Sequence, residues 1–118
     1  MIVSVCKSFR FDAAHFLPNC VGKCRNMHGH GWTLEVKVHG EVNSHTGMVV
    51  DFKDLKSVVR RYIEELDHTL LNDTIVNPTA ENLCIWLFEP LSRDLLPLVL
   101  ESLVLYETPD SYAEVRNG

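Results

Sequence analysis

Two thiols and two imidazoles fall within the eleven residues Cys20 to His30, Cys-Val-Gly-Lys-Cys-Arg-Asn-Met-His-Gly-His, and a further imidazole, His15, stands just upstream in Phe-Asp-Ala-Ala-His. Imidazole nitrogen and thiolate sulfur are preferred protein ligands of zinc, and a thiolate is also a nucleophile and a base. His28 and His30 are two residues apart, so on an extended chain they share a face, with roughly 7 Å between their Cα atoms. That separation suits two nitrogens converging on one tetrahedral ion, and Gly29 and Gly31 bring no side chains to crowd it. With His15 brought alongside by strand pairing, three nitrogens hold the ion and one position stays open, the arrangement of a catalytic rather than a structural zinc. A closed site built from Cys20, Cys24, His28 and His30 is the rival. Its spacings of three, three and one intervening residues lack the long loop between two ligand pairs that zinc fingers use.

If Cys24 is not a ligand, it is free to do chemistry, and Lys23 and Arg25 on either side favour its thiolate. From Lys7 to His30 the cations Lys7, Arg10, Lys23 and Arg25 face the single acid Asp12, although the chain as a whole carries a formal net charge of -5. A local basic patch on an acidic protein fits a small anionic substrate, and an acidic chain with no basic stripe is not expected to bind nucleic acid. Asp67 and His68 form a second pair: a carboxylate beside an imidazole fixes its tautomer and raises its basicity, although Asp and His also occur as ordinary helix-end residues. Glu107 follows an apolar run and has the chemistry to bind the amidine-like edge of a guanine or pterin ring through two parallel hydrogen bonds; a surface carboxylate is the plainer reading.

The elements that must position these groups are readable from periodicity. Ile2 to Phe11 is a Val- and Phe-rich strand running toward His15; Pro18, Asn19 and Gly22 then make Cys20 to Met27 a loop. Trp32 to Val42 alternates apolar and polar residues as a half-buried strand with His39 on its polar face, and Asn43 to Gly47, with His45 inside it, has turn chemistry. Phe52, Leu55, Val58, Val59, Tyr62, Ile63 and Leu66 recur at helical spacing behind Asp51, which reads as an N-cap rather than a ligand. Leu70 to Pro78 is a loop, and Thr79 caps a second helix with Leu83, Trp86 and Leu87 as its buried stripe, which Pro90 ends or kinks unless a last turn restarts there. Leu98 to Tyr106 reads as a buried strand, Pro109-Asp110 as a turn and Tyr112 to Arg116 as a short final strand.

A chain of 118 residues with 46% hydrophobic content supports one core, so residues 1–118 form a single domain. No secretory leader or bilayer-length apolar run is apparent, which leads to the expectation of a cytoplasmic protein with no membrane partner. In that compartment the cysteines are expected to be reduced, with Cys6 and Cys84 as small core residues.

Taken together, Phe11-Asp12-Ala13-Ala14-His15, Cys24-x-x-x-His28-Gly29-His30, Gly47-Met48-Val49-Val50-Asp51-Phe52, Leu66-Asp67-His68, Pro78-Thr79-Ala80-Glu81-Asn82 and Tyr106-Glu107-Thr108 resemble the 6-pyruvoyltetrahydropterin synthase superfamily, in order and over almost the whole chain. The spacing of Cys24 to His-x-His is similar to the bacterial branch, the 6-carboxytetrahydropterin synthases of queuosine and 7-deazaguanine biosynthesis. In the pyruvoyl branch the cysteine lies two residues further upstream, where this chain has Gly22; Cys20 fits neither spacing. The resemblance implies an α+β T-fold: a four-stranded antiparallel sheet with two helices on one face, trimers closing a twelve-stranded barrel, two trimers stacking into a hexamer, and sites between subunits. It further implies that His15, His28 and His30 hold Zn2+, that Cys24 is the catalytic base, that Asp67 and His68 assist proton transfer, and that Glu107 anchors the pterin. The implied reaction converts 7,8-dihydroneopterin triphosphate and water to 6-carboxy-5,6,7,8-tetrahydropterin, acetaldehyde and triphosphate, with Lys23 and Arg25 as candidate contacts to the triphosphate. A sister activity yielding the 6-pyruvoyl product and a non-catalytic zinc- or pterin-binding module are the competing readings. Gly31, where the family often has a larger residue, and Pro90 depart from the pattern, and the leucine-rich Leu95 to Leu105 stretch is expected to be buried in the oligomer.

Overall fold

The computed structural model describes residues 1–117. Strand β1 (Ile2–His15) pairs antiparallel with β2 (His28–Glu41) along its whole length, from Ile2 opposite Glu41 to His15 opposite His28. Helix α1 (Phe52–Leu66) leads into the two-residue strand β3 (Thr69–Leu70), helix α2 (Ala80–Asp94) follows, and β4 (Val99–Thr108) and β5 (Ser111–Arg116) close the chain. The sheet order is β3-β1-β2-β4-β5, antiparallel except where β3 runs parallel to β1 at Ala13 and Ala14. The expected four-stranded antiparallel sheet is therefore a five-stranded mixed one. The extra strand exists because the chain leaving α1 turns back along the β1 edge.

Alternation divides the sheet into two faces. Phe11, Trp32, Leu34, Val36, Leu103 and Leu105 point into the core, where they meet Leu55, Val59, Ile63 and Leu66 of α1 and Leu83, Leu87 and Leu91 of α2. Asp51 caps α1 as expected, accepting from the Lys53 amide at 2.8 Å, and Thr79 caps α2 by accepting from Asn82 at 3.0 Å. Trp86 is only half-buried; Cys84 takes its place in the α2 stripe. Helix α2 runs through Pro90 without ending, because proline removes a single donor and buried Leu87 and Leu91 hold the helix on either side. Within the Leu95 to Leu105 stretch, Leu95, Leu100, Leu103 and Leu105 are buried in the chain's own core, whereas Leu96 is exposed and Leu98 only partly buried. Cys84 is buried as expected, but Cys6 is exposed on the helix-free face because it lies one residue out of phase with the inward positions of β1. Among the described residues no helix is long and apolar enough to cross a membrane.

The helix-free face is polar. Glu101 ties three strands together there, accepting from Ser4 Oγ at 2.8 Å and Lys37 Nζ at 2.9 Å and pairing with His39 Nδ1 at 3.0 Å. His39 is thus held rather than simply solvated. Lys37 first, then Ser4 and His39, hold the Glu101 carboxyl down at about 2. A depressed carboxyl contributes stability that is complete above its unfolded value, near 4.5, and is lost as pH falls through about 2. The stability difference between wild type and Glu101→Gln is expected to shrink over that window, and an NMR titration of Glu101 is expected to show a midpoint near 2. A midpoint in the ordinary carboxylate range contradicts the network.

Candidate metal and proton-transfer site

The β1–β2 register decides the site. It sets His15 opposite His28 and Ala13 opposite His30, so three imidazoles meet at the end of the hairpin. Their ring centroids lie 4.6 Å (His15 to His28), 5.1 Å (His15 to His30) and 4.8 Å (His28 to His30) apart. Trp32 stands edge-on to His15 and His30 and donates its indole N–H to the Ala13 carbonyl at 3.2 Å, closing the core side.

Tautomers follow from the hydrogen bonds. His15 is completely buried, and its Nδ1–H donates to the Pro78 carbonyl at 2.8 Å; His28 Nδ1–H donates to the Asn26 carbonyl at 2.7 Å. Each bond leaves Nε2 with a bare lone pair, the state a metal ligand needs, and a carbonyl partner behind the ring is the usual device for orienting it. The Nε2 atoms of His15 and His30 are buried without a hydrogen-bond partner. Burying an unsatisfied polar atom costs about 1–3 kcal/mol, so two pointing into one cluster fit a position where a shared ion would satisfy both. Glu107 completes the group: its Oε1 lies 3.2 Å from His30 Nε2 and 3.9 Å from His15 Nε2, and one ligand atom from each of the four side chains lies within 4.8 Å of the others. Three imidazoles fit Zn2+ with a fourth position left open, and the Glu107 carboxylate stands beside them. Burial, with His15 and His28 adding to it, lowers the pKa of His30, while Glu107 opposes the shift; the net effect favours the neutral ring, the form that coordinates a metal. Glu107 lies inside β4 rather than after it, and also lines a cleft with Glu81, Ser111 and Tyr112.

The second pair sits across a neighbouring cleft. Asp67 ends α1, and its Oδ1 lies 3.0 Å from His68 Nδ1. The same Oδ1 accepts from the Asp12 amide at 2.9 Å, while the His68 amide donates to the Asp12 carbonyl at 2.6 Å. Both backbone groups of one β1 residue thus clamp the α1 exit, holding His68 at φ 59, a left-handed conformation that non-glycine residues seldom adopt. Asp67 is held below the usual carboxylate range, chiefly by the Asp12 N–H and then by His68. An ionised Asp67 on Nδ1 leaves the exposed imidazole to exchange protons through Nε2. His68 and His30 line one cleft of about 560 Å³ with Asp12, Ala13, Gly29 and Thr69.

Cys24 lies apart from the three imidazoles. It lies in a short 3₁₀ turn, Lys23–Arg25, and is not among the side chains whose ligand atoms cluster with the histidines. Its sulfur is paired with that of Cys20, with Cα atoms 5.9 Å apart. The expectation of reduced cysteines with Cys24 standing alone meets a Cys20 thiol seated directly against it, while Cys6 and Cys84 lie apart. The Gly22 turn brings together two thiols that the sequence separates by only three residues. A closed zinc site of Cys20, Cys24, His28 and His30 is not what the fold builds. Lys23 and Arg25 are exposed beside the pair.

The chain matches the family described as "6-pyruvoyl tetrahydropterin synthase" over residues 4–118. It belongs to that family. A relative from Archaeoglobus fulgidus, "Putative 6-carboxy-5,6,7,8-tetrahydropterin synthase", is 40% identical over 116 residues, covering 98% of this chain and 96% of the relative. A Pyrococcus furiosus relative named "Dihydroneopterin monophosphate aldolase" is 42% identical over 85 residues, covering 72% of this chain and 71% of its own. Among solved structures, 6-pyruvoyl tetrahydropterin synthase from Caenorhabditis elegans superposes with a TM-score of 0.90 at 29% identity, covering 100% of this chain and 97% of that one. The T-fold of this family is thus the fold of the chain.

Several positioning groups were not legible in the sequence. Asn72 clamps the residue after His15, accepting from Phe16 N at 3.0 Å and donating to Phe16 O at 2.8 Å, and the Pro78 carbonyl orients His15 itself. Both lie far along the chain from the histidine they serve, and no local pattern announces them.

Proposed function

We propose that this chain is a zinc-dependent lyase, a 6-carboxytetrahydropterin synthase that converts 7,8-dihydroneopterin triphosphate and water to 6-carboxy-5,6,7,8-tetrahydropterin, acetaldehyde and triphosphate for queuosine and 7-deazaguanine biosynthesis. The observation that carries it is the pair of orphaned, buried Nε2 atoms converging from His15 and His30 beside His28 and Glu107. The 40% identity to the Archaeoglobus relative supports the choice of reaction. His15, His28 and His30 hold the ion; when bound it supplies Lewis-acid polarisation of the hydroxyl and developing carbonyl oxygens of the substrate side chain.

The remaining work falls to the chain. Cys24, as the free thiolate, accepts the proton of the C–H bond beside the polarised oxygen. His68, held in one tautomer by Asp67, returns protons at its outward nitrogen as triphosphate leaves. Glu107 anchors the pterin edge, a role supported by its place beside the imidazole cluster and in the lining of the cleft it shares with Ser111 and Tyr112. Exposed Lys23 and Arg25 offer charge to the triphosphate. Sites between subunits of a dimer of trimers supply the groups that one chain keeps apart. The radius of gyration of 15.4 Å, against about 13 Å for a compact domain of this length, and the polar helix-free sheet face fit a chain that completes itself by assembly. Sedimentation is expected to give six times the 13.5 kDa chain mass.

The 42% identity to the Pyrococcus aldolase favours one second reading, retro-aldol cleavage of the side chain of dihydroneopterin monophosphate. Product analysis separates the two. Incubation with dihydroneopterin triphosphate is expected to release acetaldehyde in step with 6-carboxytetrahydropterin by mass spectrometry. Full substrate loss with a 6-pyruvoyl product and no acetaldehyde sinks the carboxy assignment; a 6-hydroxymethyl pterin from the monophosphate establishes the aldolase instead.

A further inference from the structure

Cys20 is not used by the chemistry above, and a bond from it to Cys24 would remove the thiol on which that chemistry relies. The loop that carries it is built to hold the two sulfurs together. Cys20 N donates to Leu17 O at 3.0 Å, Leu17 N donates to Cys24 O at 2.9 Å, and Arg25 N donates to Gly22 O at 3.2 Å, so the chain folds back on itself between the two thiols. Gly22 stands at φ 107, in the region that favours glycine, and a Cβ there meets nothing within 4 Å; the turn needs the backbone freedom and not the space. The Cα separation of 5.9 Å falls within the disulfide range. Both sulfurs also lie near the Val21 carbonyl, at 3.6 Å and 3.7 Å, which places them on the same side of the loop. The other two cysteines are arranged differently. Cys84 is buried in the core with its thiol pushed up to about 11, and Cys6 lies on the helix-free sheet face.

We propose that Cys20 and Cys24 form a reversible oxidative modification site in which Cys20 is the resolving thiol, so that peroxide switches the enzyme off by masking Cys24 and a dithiol reductant switches it on. The switch rests on the reading of Cys24 as the base; formation of the bond does not. The Cys24 thiolate attacks one oxygen of a hydroperoxide, the O–O bond breaks, and Cys24 becomes a sulfenic acid as the leaving oxygen takes a proton. The Cys20 thiolate then attacks the sulfenyl sulfur, forming the S–S bond and expelling hydroxide, which is protonated to water. Two thiols are oxidised, one hydroperoxide is reduced, and two water molecules form when the oxidant is hydrogen peroxide. A small dithiol reverses the change by two thiol–disulfide exchanges and leaves as its own disulfide. Without Cys20, the sulfenic acid at Cys24 stays exposed to further, irreversible oxidation.

The test uses the intact protein and hydrogen peroxide. Alkylation in denaturant followed by intact mass is expected to count four modified thiols in the reduced chain and two after peroxide, with the missing pair mapped to Cys20 and Cys24 by peptide mass. Turnover is expected to fall about 10²-fold in parallel, the scale of losing a general base, and to return on reduction. Cys20→Ser is expected to match the wild-type turnover before oxidation but to lose it irreversibly under the same peroxide. Four alkylated thiols after peroxide overturn the proposal while leaving the assignment of Cys24 as base standing. A mapped Cys20–Cys24 bond with turnover unchanged overturns both, and full recovery of oxidised Cys20→Ser on reduction overturns the resolving role.

Discussion

His28→Ala is expected to strip the chain of zinc and lower turnover about 10³-fold, a transition-state loss of about 4 kcal/mol, the scale of removing a Lewis acid from a developing charge. His28 is the right candidate ligand to remove because it is partly exposed, whereas His15 is completely buried and carries the bond to Pro78 that joins the loop before α2 to the hairpin. The fold should therefore survive the first substitution better than the second. The direct readout is metal content by elemental analysis, expected to fall from one zinc per chain to near none, with an unfolding curve to show that the core is intact. Zinc bound in full to a folded His28→Ala chain contradicts the three-imidazole site. Metal removal from the wild type by a chelator should reproduce the activity loss and be reversed by added Zn2+, which separates the ion's contribution from any packing role of the ring.

The three-imidazole cluster was the most legible part of the molecule because its information is local. Two histidines flanking a glycine must share a face once the segment is extended, and a Val- and Phe-rich run ending at His15 announces the partner strand. The register that brings His15 opposite His28 follows from burying Phe11 and Trp32 on the same side; a slip of one residue would turn His15 toward the polar face. Helix α1 was equally plain, with apolar residues at helical spacing and a capping aspartate. Strand ends were less so. β1 and β2 run to His15 and from His28 because Ala, Gly and His, weak strand formers, are held there by pairing with each other. The contacts that orient the site were hidden for a different reason. Asn72 to Phe16, Pro78 to His15 and Asp67 to Asp12 span 56, 63 and 55 residues and each uses a backbone group, which every residue possesses. Glu107 could be suspected of binding a ligand from its place after an apolar run. Its contact with His30 depends on the β2–β4 pairing that sets Thr33 opposite Tyr106, and Glu107 itself falls where the β4–β5 register shifts between Tyr106 and Thr108.

Cys24→Ala, assayed under reducing conditions, is expected to retain zinc while turnover falls about 10²–10⁴-fold, the range for removal of a general base. The split between metal and rate is the informative part. Cys24 lies outside the cluster of ligand atoms formed by His15, His28, His30 and Glu107, so its truncation removes no donor from the ion. The half-buried thiol sits on a loop held by backbone hydrogen bonds among Leu17, Cys20, Gly22 and Arg25, so the loop should keep its shape without the sulfur. Loss of zinc in this variant would put sulfur on the ion and return the closed site of thiols and imidazoles to contention. Zinc and turnover both unchanged would move the base elsewhere, and His68 is then the next group to remove: it faces the cleft shared with His30, and Asp67 already fixes its tautomer. Comparing the pH dependence of Cys24→Ala with that of Cys24→Ser assigns the ascending, low-pH limb of the rate profile, since an alkoxide cannot replace a thiolate near neutral pH and neither variant should retain that limb if the thiol is the proton acceptor.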